Sequence, residues 1–268
     1  MEEFEYAKKF DLTHVFIKFI DSDHVEAFMK KGELHFEKFS NFNEMTDFES
    51  GDPNEGSVAL ALKKAKATIK LPSGKQSKIF RDVNIEDVNM QYANDVLKNY
   101  GLTSMFYVNQ LDGFDVEPIN ETNYPYDNTE GFEAVGKINN KVLDKFSSFL
   151  SVEHNKSKVP VLIFPNNIIK RFQEKNIPIL RDKVEYYDIH DASFFEKIRS
   201  DDIIKTLFVK TDNYAHQKEY RFVLPEVIPN CGKNVYLGNM EDIAIRLDKE
   251  NLENYRAYYK NEKHPTRN

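Results

Sequence analysis

The stretch that most constrains the fold is His216-Gln217-Lys218-Glu219-Tyr220-Arg221-Phe222-Val223-Leu224. From Glu219 onward, aromatic and branched residues alternate with charged ones, which is the period of a β-strand. Tyr220, Phe222 and Leu224 fall on one face and read as core, with Glu219, Arg221 and Val223 on the other. Two residues along a strand span roughly 7 Å, so Glu219 and Arg221 can share a ligand or a third charge. A charged, solvated sheet face accounts for the same pattern. Either way the strand needs neighbours and a covering layer, so a sheet-based fold is expected.

Composition agrees. The apolar share leans on 21 Phe and 14 Tyr with no Trp, a bias that favours sheet. At 268 residues the chain can bury a sizeable core, and no repeat, low-complexity tract or linker divides it. The expectation is one α+β domain over 1–268, with a mixed, largely antiparallel twisted sheet flanked by short helices. Residues 112–131 read as a loop or insertion and 263–268 as a frayed tail. A net charge of -7 argues against direct binding of a nucleic-acid backbone, which needs an excess of Lys and Arg. The single cysteine, Cys231, leaves no internal disulfide and no Cys-based zinc cluster. The acidic start Met1-Glu2-Glu3-Phe4-Glu5 has no signal-peptide character. No apolar run reaches a membrane span. A cytoplasmic protein without a membrane partner is expected.

In chain order, Thr13–Ile20 reads as a strand with His14, Phe16, Lys18 and Ile20 on one face. Asp21 to Asp23 offer N-caps, Asp23 and Glu26 have capping-box spacing, and Gly32 ends the short helix. Leu34-His35-Phe36 begins a second strand. Residues 39–44 and 51–56 read as irregular loop, in which Asn and Asp bond their own backbone or carry function. Residues 57–71 are helix or strand, and Leu71-Pro72-Ser73-Gly74-Lys75 reads as a hairpin turn that favours strands. A helix is expected over 84–100 from Val88, Tyr92 and Val96, and another over 135–149 from Val142, Phe146 and Phe149. Strands are expected at 104–108, 159–164, 183–188 and 243–247. Helices are expected at 165–175, with Pro165 at the start, at 193–199, and at 251–260.

Several chemistries lack their motifs: no HExxH pair, phosphate-binding glycine loop, dinucleotide fingerprint or GxSxG elbow is present. No metal site is expected. The remaining candidates are His14, Lys18, Ser40, Asn43, Glu55 and the group Gln217, Glu219 and Arg221. Each has a structural alternative: His14 as an edge residue, Lys18 snorkelling from a core strand, Glu219 and Arg221 paired across the sheet. A nuclease would need Asp52, Glu55 and Glu219 brought together around a metal.

The opening FIKF…HVEAFMKKGELHFEKFSNFNEM resembles the start of a broad bacterial and phage family of unknown function. That family begins with a strand, a short helix, a Gly-x-hydrophobic-x-Phe-Ser segment and an Asn-Asp-Pro-Phe-like loop. Here Phe42-Asn43-Glu44-Met45 lacks the Asp-Pro. FVKTDNYAHQKEYRFVL resembles the family's late Phe-x-Lys…Tyr-x-x-Gln-x-Glu-Tyr/Trp-Arg signature, and VYLGNMEDIAI its closing piece. Members resemble proteins found near phage-defence and abortive-infection genes, which implies a host or phage protein as partner. The order of parts also resembles ADP-ribosyltransferase-like folds, which implies NAD as substrate. On that likeness His14 or Lys18 contacts the dinucleotide, and Ser40, Phe42 or Asn43 lines the nicotinamide side. Arg221 then holds the pyrophosphate, and Glu219 is the catalytic carboxylate that stabilises an oxocarbenium-like transition state. The rival expectation is a non-enzymatic protein-binding module (a sensor, inhibitor or antitoxin) acting through an acidic surface.

Overall fold

The alternation at Glu219 becomes a nine-residue strand in an eight-stranded sheet. A computed structural model describes residues 14–44, 52–71, 79–109, 113–119, 132–151, 153, 157–247 and 254–260. The first half holds β1 (Val15–Asp21), α1 (Ser22–Lys31), β2 (Glu33–Lys38) and α2 (Phe39–Glu44). A long antiparallel hairpin, β3 (Ser57–Leu71) and β4 (Ile79–Ala93), leads to β5 (Tyr100–Val108), β6 (Phe114–Pro118) and β7 (Phe132–Ile138). Next come α3 (Asn140–Ser151), β8 (Lys158–Ile163), α4 (Pro165–Glu174), β9 (Leu180–Lys183), β10 (Glu185–Tyr187) and α5 (Ala192–Ser200). The last part holds β11 (Val209–Thr211), β12 (Glu219–Val227), β13 (Lys233–Tyr236), β14 (Ala244–Arg246) and β15 (Arg256–Lys260).

The main sheet is forked. β12 pairs with β9 on one edge and β5 on the other. The far edge of β5 then serves two strands: residues 106–108 pair with β1, and residues 101 and 102 pair with β2. Neither reaches residues 103–105. One branch continues through β8 to β14, the other to β13. α1 runs from the end of β1 to the start of β2 and bridges the open end. Its stop is Gly32 in the left-handed region (φ 63°), where an added Cβ would meet the Gly238 carbonyl oxygen at 2.6 Å, so glycine is required.

One sheet face is aromatic core. Phe16, Phe36, Met105, Tyr220 and Phe222 pack under α1 and α4 through Phe28, Ile168 and Phe172. Each fully buried large side chain there contributes about 2–3 kcal/mol by area removed from water. The other face is covered in pieces: α3, β6 and β7 over β1, and Phe39, Leu207 and Phe208 over Leu102 and Val223. Beyond these, Val58 and Leu60 of β3 pack on Tyr187, Phe195 and Ile198.

The α+β class with a mixed, largely antiparallel sheet stands; among the described pairings only β10–β11 is parallel. Several boundaries differ from expectation. Residues 84–93 belong to β4, not a helix. Val88 and Tyr92 are four apart, a spacing common to helix and strand faces, and they pair across the hairpin with Leu62 and Val58. The helix expected from 135 starts at Asn140, because 132–138 pairs with β6 and β15. β6 lies inside the supposed loop 112–131, of which 112 and 120–131 fall outside the described residues. The last segment is a strand rather than a helix, with Tyr258 opposite Val135. Residues 39–44 form a short helix anchored by buried Phe39. The helix α1 has Asp21 as N-cap without a side-chain cap bond, so the Asp23–Glu26 box does not form. The turn at 72–75, Thr13 and the tail 263–268 lie outside the described residues.

Candidate functional site

β12 places Glu219 and Arg221 on the pieced-together face, directly across from Phe106 and Ser104 of β5. The turn after Asp52 delivers Glu55, and β11 delivers Lys210. These four charges meet in the interior. Arg221 is 0% exposed. Its Nε donates to Glu219 Oε2 at 3.0 Å and its Nη1 to the Leu207 carbonyl at 2.8 Å. Its Nη2 lies 2.7 Å from Glu55 Oε1, a charge contact without hydrogen-bond alignment. Lys210 Nζ donates to Gln217 Oε1 at 2.7 Å and Glu219 Oε1 at 2.9 Å, with Glu55 Oε2 at 3.7 Å and the Tyr214 ring centre at 4.5 Å. Ser104 Oγ donates to Glu219 Oε2 at 2.9 Å, and the Glu219 backbone N–H donates to the Tyr186 hydroxyl at 2.9 Å.

Two cations and two carboxylates make a neutral quartet, the condition under which buried charge is tolerated. The carboxylates differ. Burial alone would raise Glu219, but Arg221, Lys210 and their hydrogen bonds hold it down to about 2, so it is ionised throughout the neutral range. Burial raises Glu55 in spite of Arg221 and Lys210, and raises Asp52 as well. Asp52 Oδ1 accepts the Asn54 N–H at 2.9 Å in an Asx-type turn, while Oδ2 is buried without a hydrogen-bond partner. The three carboxylates a nuclease would need thus converge, but Lys210 and Arg221 stand among them where a metal would sit. Among the described residues no group of three or more His, Cys, Asp or Glu side chains is arranged to hold a metal ion.

Beside the quartet the fork opens into a cleft of about 1000 Å³. At its apex the Lys18 Nζ donates to Thr103 Oγ1 at 2.9 Å and to the Ser104 carbonyl at 3.1 Å, filling the gap that neither β1 nor β2 closes. Desolvation, and secondarily Lys158, lowers the Lys18 ammonium to about 8. Glu219, Gln217 and Lys210 line the cleft next to it. One wall is aromatic: Phe19 packs at a tilt against Phe149 at 4.6 Å and meets Phe146 at 5.3 Å, and Phe106 meets Phe146 at 4.8 Å. The volume and the mixed lining suit a ligand of nucleotide size with an aromatic ring and polar groups.

Of the residues singled out in the sequence, Lys18, Phe42, Glu55, Gln217 and Glu219 line this cleft. Arg221 does not; it is sealed behind Glu219, which corrects both the solvated-face reading and its role as a pyrophosphate ligand. His14 is half-buried on the aromatic face, 4.8 Å from the Tyr107 ring, and burial with Lys183 nearby pushes its pKa down. Ser40 and Asn43 sit half-buried on α2 and are not part of the cleft lining. Lys210, Ser104, Thr103 and Tyr186 were not singled out. For Lys210 the signal existed, because the Phe-x-Lys…Tyr-x-x-Gln-x-Glu-Tyr-Arg spacing is the set that Lys210 ties together. Cys231 is exposed in the turn before Gly232. No helix among the described residues is long and apolar enough to cross a membrane. Comparison with protein-family models, with curated proteins and with solved structures gave no match.

Proposed function

We propose that the forked cleft is the active site of an ADP-ribosyltransferase-like enzyme that takes NAD as substrate, with Glu219 as the catalytic carboxylate. The observation that carries this reading is a carboxylate held ionised and oriented by Arg221, Lys210 and Ser104 at the wall of a nucleotide-sized cleft. Loss of nicotinamide from NAD builds positive charge on the ribose, and a fixed anion in a partly dry site stabilises it without reorganising. The Phe19/Phe149 wall offers a stacking surface for a planar ring. Lys18 lines the same cleft, and its protonated fraction is placed to contact the dinucleotide. Arg221 acts here through Glu219, as a positioning residue. A role in phage–bacterium conflict, with a host or phage protein as acceptor, rests on the motif likeness.

Nicotinamide release from NAD tests the reading. Wild type releases it, and Glu219→Gln loses roughly two to three orders of magnitude in rate. Because that change also unbalances the quartet, Ser104→Ala is the companion variant: it leaves all four charges and slows release several-fold. Release unaffected by either variant would remove Glu219 from catalysis.

One observation favours the second reading, the protein-binding module. The lone pairs of Glu219 already meet three donors, so the quartet is complete without a ligand. That reading expects no turnover, with partner capture lost on charge reversal at exposed carboxylates such as Asp201 and Glu241. Charge reversal at Arg221 is uninformative there, since it would strike the core.

A further inference from the structure

We infer that Lys18 is a nucleophilic amine poised to capture an aldehyde or ketone as a Schiff base inside the fork. An uncharged lysine amine has two hydrogens and one lone pair in a tetrahedral array. Thr103 Oγ1 at 2.9 Å and the Ser104 carbonyl at 3.1 Å accept both hydrogens, and the lone pair is left pointing away from β5. Lys18 lines the cleft of about 1000 Å³, which has room for a small carbonyl compound beside the amine. Both acceptors are built into the sheet, one as backbone and the other as a side chain that is only 4% exposed.

The surroundings raise the share of neutral amine above that of an ordinary lysine. Among the described residues no carboxylate lies within ion-pair distance of Lys18, although the fold places carboxylates elsewhere on the cleft wall at Asp21, Glu33, Glu37, Glu55, Asp144 and Glu219. Lys158, the register partner of Asp21 on the neighbouring strand, adds repulsion against a second positive charge. Lysines that react with carbonyls are made this way, by desolvation and a nearby cation. A lysine that merely snorkelled would carry its ammonium to water instead.

The reaction balances without a further reagent. The lone pair attacks the carbonyl carbon, the C–N bond forms, and the carbonyl oxygen leaves with both amine hydrogens as water. The resulting imine is reversible and is fixed by an added hydride donor. The ligand class is a small aldehyde or ketone, or a reducing sugar through its open-chain aldehyde. This inference is independent of the NAD reading, and its test contains no NAD.

The test uses the full chain with pyridoxal and sodium cyanoborohydride at pH 8, followed by peptide mapping of the reduced adducts. Lys18 is expected to be labelled roughly tenfold or more faster than the exposed Lys170, since a lowered amine pKa enlarges the reactive fraction. Lys18→Arg keeps a hydrogen-bond donor at the fork but has no nucleophilic amine, and removes only that adduct. Thr103→Val, which takes away one orienting acceptor, slows it. Labelling of Lys18 at or below the rate of Lys170 in wild type would overturn the inference, as would equal labelling in Thr103→Val.

Discussion

Arg221 and Phe222 are neighbours on one strand, both fully buried, and they are stabilised by opposite physics. Phe222 stacks on Phe172 at 5.6 Å and meets Phe16 edge-on at 5.7 Å, in a face that gains by removing apolar area from water. Arg221 lies on the opposite face among Glu55, Glu219, Lys210 and the Leu207 carbonyl, where nothing is gained unless every charge is answered. The aromatic face tolerates small errors of volume. The charged face does not tolerate the loss of one member, and for that reason it holds Glu219 in one orientation at the cleft.

The contrast fixes the order of the expected effects. Arg221→Met leaves two buried carboxylates without their main cation and should cost about 4 kcal/mol, read as a lowered midpoint in denaturant. A loss below about 1 kcal/mol would mean the quartet does not hold this face together. Acid comes next. Glu219 has a folded pKa of about 2, below the ordinary 4.5, so it contributes stability above the unfolded pKa, and that contribution is lost as pH falls from about 5 toward 2. The loss is on the order of 3 kcal/mol, and melts of Glu219→Gln across that window should lack it. Phe222→Leu, on the other face, should cost about 1–2 kcal/mol with no change in the pH dependence of the melts. A pH-dependent cost there would break the contrast. The smallest effect is Lys183→Met, which removes the ammonium 3.9 Å above the Tyr107 ring and should lower stability by about 0.5–1 kcal/mol.

How much of this was legible depended on whether the signal was local. The alternation at 219–224, the Gly32 stop and Pro165 at the first helical position read directly, because each is set by backbone geometry over a few residues. The 84–100 segment misread because spacings of four serve both periods, and only the pairing of Val88 with Leu62 and Tyr92 with Val58 decides. The site divides the same way. Glu219 and Arg221 were visible on one strand, but the burial of Arg221 comes from the Leu207 carbonyl on a separate segment and from Glu55, far away in sequence. The fork was invisible, because it arises where β1 and β2 diverge from β5, and no residue encodes that divergence alone.

The most direct test of the account is NAD binding followed by thermal unfolding, comparing wild type with Lys18→Glu at the fork and His14→Ala on the aromatic face. NAD should raise the midpoint of wild type and His14→Ala alike and leave Lys18→Glu unmoved, because Lys18 lines the cleft and His14 does not. No shift in wild type, or a shift lost in His14→Ala and kept in Lys18→Glu, would contradict the placement of the site.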